Sequence, residues 1–263
     1  MVEKMPQGDK GRDGAIEPMP GTTVSIFGAQ GHLGHNLSER LNEIKPPSAR
    51  IVGTVDKDHN AELATSADLA IIAVQPKFVR GLLNNIGPSL KPDAQVLSFA
   101  IGTSLDELQK MSGRPAARAM CDTWFQFVAF TAGKEFDRSK HEFIFNNLAR
   151  VKSYVLATEK EFDAFSVNLI QLYAPVFLKA CGEMDSIDTH LQYLAPRFGL
   201  PAERLAACLP TGDPQEQLRA FATPGGVTEA AIVALRSRHS ITPEELAQVV
   251  LNKIEEIRKR NLS

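Results

Sequence analysis

The sequence predicts an α/β protein: an N-terminal Rossmann-type, doubly wound parallel sheet followed by an all-helical C-terminal domain. Three observations predict it. The stretch Thr23-Val-Ser-Ile-Phe-Gly28-Ala-Gln-Gly31-His-Leu-Gly34 passes from a β-rich apolar run through three evenly spaced glycines into a helical pattern. Strand-like and helix-like segments then alternate to about residue 158. From about Glu159 the extended β-branched runs stop and only helical periodicity continues.

The first strand is Thr23–Phe27, and the helix after the glycines carries Leu33, Leu37, Leu41 and Ile44 on one face. Strand, glycine turn and helix together are the context of a dinucleotide-binding loop, with Gly28, Gln30, Gly31, His32, Leu33 and Gly34 as its residues. Gly28 permits the tight turn. Gly31 lets the backbone approach a pyrophosphate, and Gly34 lets helix and strand pack closely. The pyrophosphate sits on the free N–H groups and positive end of the helix.

A second strand, Ile51–Val55, ends at Asp56, about twenty residues beyond the last glycine. An acidic side chain there accepts hydrogen bonds from the adenosine ribose hydroxyls and repels a 2′-phosphate. The expected cofactor is therefore NAD(H) in preference to NADP(H), with Lys57 softening the preference. Only about a dozen residues separate Asp56 from the next strand, so the crossover there is shortened. That strand, Leu69–Val74, is continuously apolar, as a strand buried on both faces should be. Gln75-Pro76 ends it, and a helix follows through Val79, Leu82 and Leu83. Val96–Ala100 is another buried strand, closed by Gly102, and Thr103-Ser104 caps a helix with Leu105 and Leu108. Ala116–Met120 and Ser153–Ala157 complete the sheet.

Helices are expected over Phe162 to about Met184, Ile187–Phe198, Ala202–Leu209, Gln215–Ala222 and Thr228–Ser237. A last one opens at Thr242-Pro243-Glu244-Glu245, which combines an N-cap hydroxyl, a Pro in the first turn and a capping-box acid. The division is thus a flexible tail over 1–21, a dinucleotide-binding domain over 22–158 and a helical domain over 159–263. Translation starting at Met19 is an equally good reading of the N-terminus.

Composition narrows the classes. With 43% hydrophobic and 23% charged residues and a formal net charge of −2, nothing marks a nucleic-acid partner. No apolar run approaches a membrane span, and no signal core precedes the first strand, so cytoplasm is the default expectation. Cys121, Cys181 and Cys208 are too widely spaced for a disulfide framework or a zinc site, and no metal is expected. His32 and His35 are placed to pack near a cofactor. His141, His190 and His239 sit in polar segments and are expected to face solvent. No arrangement of Ser, His and Asp suggests hydrolysis.

Four further segments carry a family likeness. Ala67-Asp68-Leu-Ala-Ile-Ile-Ala-Val74-Gln75-Pro76 ends a strand in a proline turn. Val96-Leu-Ser98-Phe-Ala100-Ile-Gly102 ends the next strand in a glycine turn, and Arg118-Ala-Met120-Cys121-Asp122-Thr123-Trp124 leaves the one after it. Thr223-Pro224-Gly225-Gly226-Val227-Thr228 opens a helix. With Gly199-Leu200-Pro201 as a minor match, these resemble pyrroline-5-carboxylate reductases over roughly Thr22 to Arg238. That family reduces a cyclic imine to proline with a hydride from a nicotinamide.

The resemblance implies an NAD(P)-dependent oxidoreductase with a small-molecule imine as substrate. It also implies that the helical domain dimerises by interleaving, giving a homodimer or higher homo-oligomer. Val74, Gln75, Pro76 and Ala100 would join the cofactor site. Thr123, Trp124, Thr223, Gly225, Gly226 and Thr228 would form the substrate site, with loop N–H groups on a substrate carboxylate and Thr228 on the ring nitrogen. Cys121, Asp122 and Trp124 stand where the family has Pro, Asn and Pro, and Ile170–Pro175 replaces a glycine-containing helix segment. The glycine turn itself looks more like prephenate dehydrogenase. These departures point to a divergent member with a different substrate.

Asp122 has two readings: a buried acid that delivers a proton, or a strand-end residue capping the next turn. Trp124 is either an apolar wall for a bulkier substrate or ordinary packing. Two other functions stay open: an NAD-dependent dehydrogenase of a carboxylic acid, and a dinucleotide-binding sensor or subunit without turnover.

Overall fold

The computed structural model describes residues 21–53, 56–183, 187–208, 213–237 and 241–262. The expected tail apart from Gly21, the end of the second strand, and His239 lie outside them. The α/β half comprises β1 (Thr23–Phe27), α1 (His32–Ile44), β2 (Arg50–Gly53), α2 (Asn60–Ser66), β3 (Leu69–Ile72), α3 (Pro76–Ile86), β4 (Gln95–Ser98), α4 (Leu105–Ser112), β5 (Ala116–Cys121), β6 (Phe127–Ala132), α5 (Glu142–Asn147) and β7 (Lys152–Val155). The helical half comprises α6 (Glu159–Ala180), α7 (Asp188–Phe198), α8 (Ala202–Ala207), α9 (Pro214–Phe221), α10 (Val227–Ser237) and α11 (Pro243–Leu262).

Among the described residues the strands form one seven-stranded sheet in the order β2-β1-β3-β4-β5-β6-β7. All neighbours are parallel except β5 and β6. Alternation along the strands builds a core on each face. Val24, Ile26, Leu69, Ile71 and Leu97 pack with Leu37 and Leu41 of α1 and with Ile144 and Phe145 of α5. Phe27, Ala70, Ile72 and Val96 pack with Val79, Leu83 and Ile86 of α3 and with Leu108 of α4. The sheet is therefore covered on both sides, as its continuous apolar runs require.

Local signals set the boundaries. Ser104 and Glu107 form a reciprocal capping box at α4. Thr242 and Glu245 exchange the same pair of bonds at α11, at 3.2 and 2.9 Å. The crossover after β2 is shortened as expected, to a 3-10 turn at Lys57–His59 and the seven-residue α2.

β6 and α5 are additions to the expected order. The apolar run Phe127–Ala132 lacks a glycine, proline or asparagine turn before it, so no ordinary hairpin signal announces it. The turn is instead built by Asp122 and by Phe125, which is buried and holds a left-handed φ of 55°.

α7, α9, α10 and α11 pack on α6 within one chain. Phe162, Phe165, Leu169, Leu172, Tyr173 and Leu178 of α6 are all buried. Phe127 and Ala129 of β6 extend this core into the sheet. A polar lock joins the two halves. Arg118 of β5 is fully buried and donates to Glu159 at 2.7 Å and to Asp163 at 3.0 Å, both on α6. Arg258 of α11 reaches the second oxygen of Asp163 at 2.9 Å. Glu159 also accepts the Leu105 N–H at 3.0 Å.

Candidate functional site: a cleft between the sheet and the helical domain

Gly28 turns out of β1 with φ 92°, and a Cβ there would lie 2.8 Å from the Ala73 carbonyl oxygen. A Cβ on Gly34 would lie 2.1 Å from the Gly28 oxygen, so α1 sits directly on the turn only because that residue is glycine. Gly31 donates to the Gly28 carbonyl at 3.0 Å and is the N-cap of α1. No side chain caps this end, and no acidic residue occupies the first turn. Uncompensated N–H groups and a positive helix end are what a pyrophosphate requires. The residues present fit that group.

The turn opens on a cavity of about 750 Å³ beyond the C-terminal ends of β1, β3, β4 and β5. Such a position is the ligand crevice of open α/β sheets. Gly31, His32 and Leu33 line it from the turn, Val74, Gln75 and Pro76 from the end of β3, and Ala100 from beyond β4. Thr123 joins from beyond β5, and Thr223, Gly225, Gly226 and Thr228 from the loop that opens α10. These residues, expected from the sequence, are thus brought to one cleft from both halves of the chain. Gly28 and Gly34 support its floor, and neither they nor Gln30 lines it.

Asp56 stands apart from the cavity. It is exposed past the end of β2, and its carboxylate accepts the Asp58 N–H at 3.1 Å. Gly53, at the end of β2, lies against Ala29 of the turn, where a Cβ would come within 2.5 Å.

Asp122 is wholly buried and does not line the cleft. Its carboxylate accepts the N–H groups of Trp124 at 2.9 Å, Gln126 at 3.2 Å and Phe127 at 2.8 Å. Of the two roles left open by the sequence, the geometry gives it turn capping. Burial raises its pKa, while the three backbone donors pull it back. Trp124 is likewise outside the cleft. Its ring stacks on Phe221 at 6.3 Å and tilts against Tyr173 at 5.7 Å, so it supports the cleft wall from behind.

Several lining residues escaped the sequence reading. Met120 and Cys121 lie at the end of β5, Leu169 and Ile170 on α6, Phe221 on α9 and Ile257 on α11. Mid-helix apolar residues carry no signal that separates a cleft wall from a core. Burial, and then the neighbouring Asp122 charge, push the Cys121 thiol well up, so it stays protonated at neutral pH. Lys77, Arg80 and Arg260 are the cations of the lining, and no Asp or Glu lines it among the described residues.

The loop Thr223–Thr228 holds one contact that its sequence did not announce. The Gly225 N–H donates to the Glu229 carboxylate at 2.7 Å. Gly226 donates to the Thr223 carbonyl at 2.9 Å, and the Thr228 side chain is buried against the cleft.

Two histidines correct the expectation of solvent exposure. His141 and His190 are buried, at 1% and 4% of their surface. Both lie away from the cleft and have lowered pKa values, His141 to about 4, with burial the largest cause. Among the described residues no group of His, Cys, Asp and Glu has the arrangement of a metal site. No described helix is long and apolar enough to cross a membrane.

No family model matches the chain. It is 25% identical to a pyrroline-5-carboxylate reductase of Corynebacterium melassecola over 249 residues, covering 80% of this chain and 89% of that protein. A shorter match, 31% over 68 residues, spans a quarter of the Pseudomonas aeruginosa pyrroline-5-carboxylate reductase. The Plasmodium falciparum pyrroline carboxylate reductase with NADP bound superposes with a TM-score of 0.58 over 93% of this chain and all of that one, at 17% identity. Prephenate dehydrogenase from A. aeolicus, in complex with hydroxyphenyl propionate and NAD+, gives 0.52 over 92% and 89% at 13% identity. The fold, a seven-stranded Rossmann-type sheet followed by a helical C-terminal region, is shared with these structures. Within it, the chain is a divergent relative of the pyrroline-5-carboxylate reductases.

Proposed function

We propose that this protein is an NAD(P)H-dependent reductase of a cyclic imine. The observation that carries the reading is the single cleft that joins the glycine turn to the Thr223–Thr228 loop. The relatives' names and shared fold support it. A reduced nicotinamide dinucleotide supplies the hydride, and the cofactor carries the hard chemistry. Gly31 and the N-terminus of α1 hold its pyrophosphate, with Val74, Gln75, Pro76 and Ala100 along the cleft. Asp56, exposed beyond β2, favours NADH over NADPH by opposing a ribose phosphate.

The chain's own part is positioning and exclusion of water. Met120, Leu169, Ile170 and Phe221 give the substrate end apolar walls. The buried Thr228 hydroxyl orients the imine nitrogen. The proton on nitrogen arrives with the substrate as an iminium, which suits a lining free of acids among the described residues. Val233 of α10 and Leu251 of α11 remain exposed on the helical domain, which is the expected face of self-association.

The test is oxidation of NADH and NADPH by the purified protein with a panel of cyclic imines that includes pyrroline-5-carboxylate. Turnover with one or more imines, faster with NADH, is the expected result. Cofactor binding without turnover on any imine would overturn the reading in favour of a sensor or subunit.

A further inference from the structure

Phe221 ends α9, just before the Thr223–Thr228 loop. It lines the cleft, whereas the two rings packed on it, Trp124 and Tyr173, do not. Trp124 stacks on Phe221 with an interplanar angle of 16°, and Tyr173 tilts against it at 5.1 Å. The two supporting rings also meet each other, at 5.7 Å. Tyr173 is fully buried, and burial and then the nearby Asp122 charge push its phenol well up, so the cluster is neutral. Trp124 follows β5 and Tyr173 belongs to α6, so separate elements of both halves fix one ring in the cleft wall. A ring held in place before a ligand arrives loses little freedom when one binds. The lining around it includes Leu169, Ile170 and Val227 and the thioether of Met120, a group that makes favourable contacts with aromatic rings.

We propose that Phe221 is a specificity-determining residue, whose ring, backed by Trp124 and Tyr173, is a platform for an aromatic substituent, so that the substrate is an aryl-substituted cyclic imine. The inference rests on the imine reductase reading and refines its substrate class. An aryl group set offset or edge-on against Phe221 gains the quadrupole attraction that a saturated group of the same size lacks.

The experiment compares 2-phenyl-1-pyrroline with 2-cyclohexyl-1-pyrroline, which are close in size and differ in aromaticity, in the wild type, Phe221→Leu and Phe221→Tyr. Trp124 is the single tryptophan of the sequence, so its fluorescence in the presence of NAD+ reads binding beside Phe221 without turnover. NADH oxidation reads reduction. The wild type is expected to bind the phenyl compound about tenfold more tightly, the upper end of what one aromatic pair adds beyond buried area. The same preference is expected in KM rather than kcat. Phe221→Leu, apolar but without a ring, is expected to lose the preference, and Phe221→Tyr, which restores the ring, to keep it. A merely structural role would weaken both compounds alike. Equal binding of the two by the wild type, or a preference that survives in Phe221→Leu, would overturn the inference, and reduction of either compound would then leave the reductase reading standing. Neither binding nor reduction of either compound would overturn both.

Discussion

At the scale of single residues, environment assigns roles that residue type alone leaves open. Asp122 can be read as an acid or as a cap, and three backbone N–H groups converging on its carboxylate give it the cap. His141 reads as a surface residue because Arg138, Ser139, Lys140 and Glu142 surround it in sequence. It is buried against the sheet instead. With the Gln95 amide oriented to satisfy its neighbours, Gln95 donates to His141 Nε2 at 3.1 Å, which holds the imidazole neutral.

A pH dependence follows. Unfolded, His141 takes a proton near pH 6.5, whereas folded it resists until about 4. The folded state therefore binds fewer protons between these values. The stability that His141 contributes is full above pH 6.5 and is lost as pH falls towards 4, by roughly 3 kcal/mol. Urea unfolding of the wild type and of His141→Gln between pH 7 and 4 checks this. The wild type should lose more stability over that window, and parallel curves would contradict it.

At the scale of elements, two kinds of glycine and one buried arginine decide how the cleft is built. The spacing Gly28, Gly31, Gly34 was legible as a tight turn from strand to helix, and the close approach at Gly34 is the physical reason for it. The hairpin from β5 to β6 was not legible, because its turn is set by a side-chain carboxylate and a left-handed Phe125 rather than by glycine. The capped starts of α4 and α11 were readable from Ser104 and Thr242 because capping is local. Arg118 was visible only as part of a motif. Its partners, Glu159 and Asp163 on α6, lie about forty residues away, and no local pattern reports such a lock.

Removing one partner of a buried pair leaves the others uncompensated. Arg118→Met is therefore expected to destabilise the fold by about 2 kcal/mol, because Glu159 is left with the Leu105 N–H and Asp163 with Arg258 while the aliphatic stem is retained. Chemical unfolding measures it. A loss well under about 1 kcal/mol would mean that the lock does not join the sheet to the helical half.

At the scale of the whole molecule, the cleft is where the two halves meet, and no single segment contains it. The loops that meet at the cleft were readable as loops because each is a strand end or a helix start with its own turn chemistry. The walls between them, Leu169, Ile170, Phe221 and Ile257, come from three helices whose apolar stripes look like any core.

The central claim is that this cleft brings a nicotinamide and a C=N carbon together. The most direct test is isotope transfer. The purified protein is supplied with NADH deuterated at C4 of the nicotinamide and with a cyclic imine, and the product is examined by mass spectrometry and NMR. The account predicts one deuterium, placed on the former imine carbon of the cyclic amine. Amine carrying no label at that carbon, or cofactor that binds and is never consumed with any imine, would contradict it.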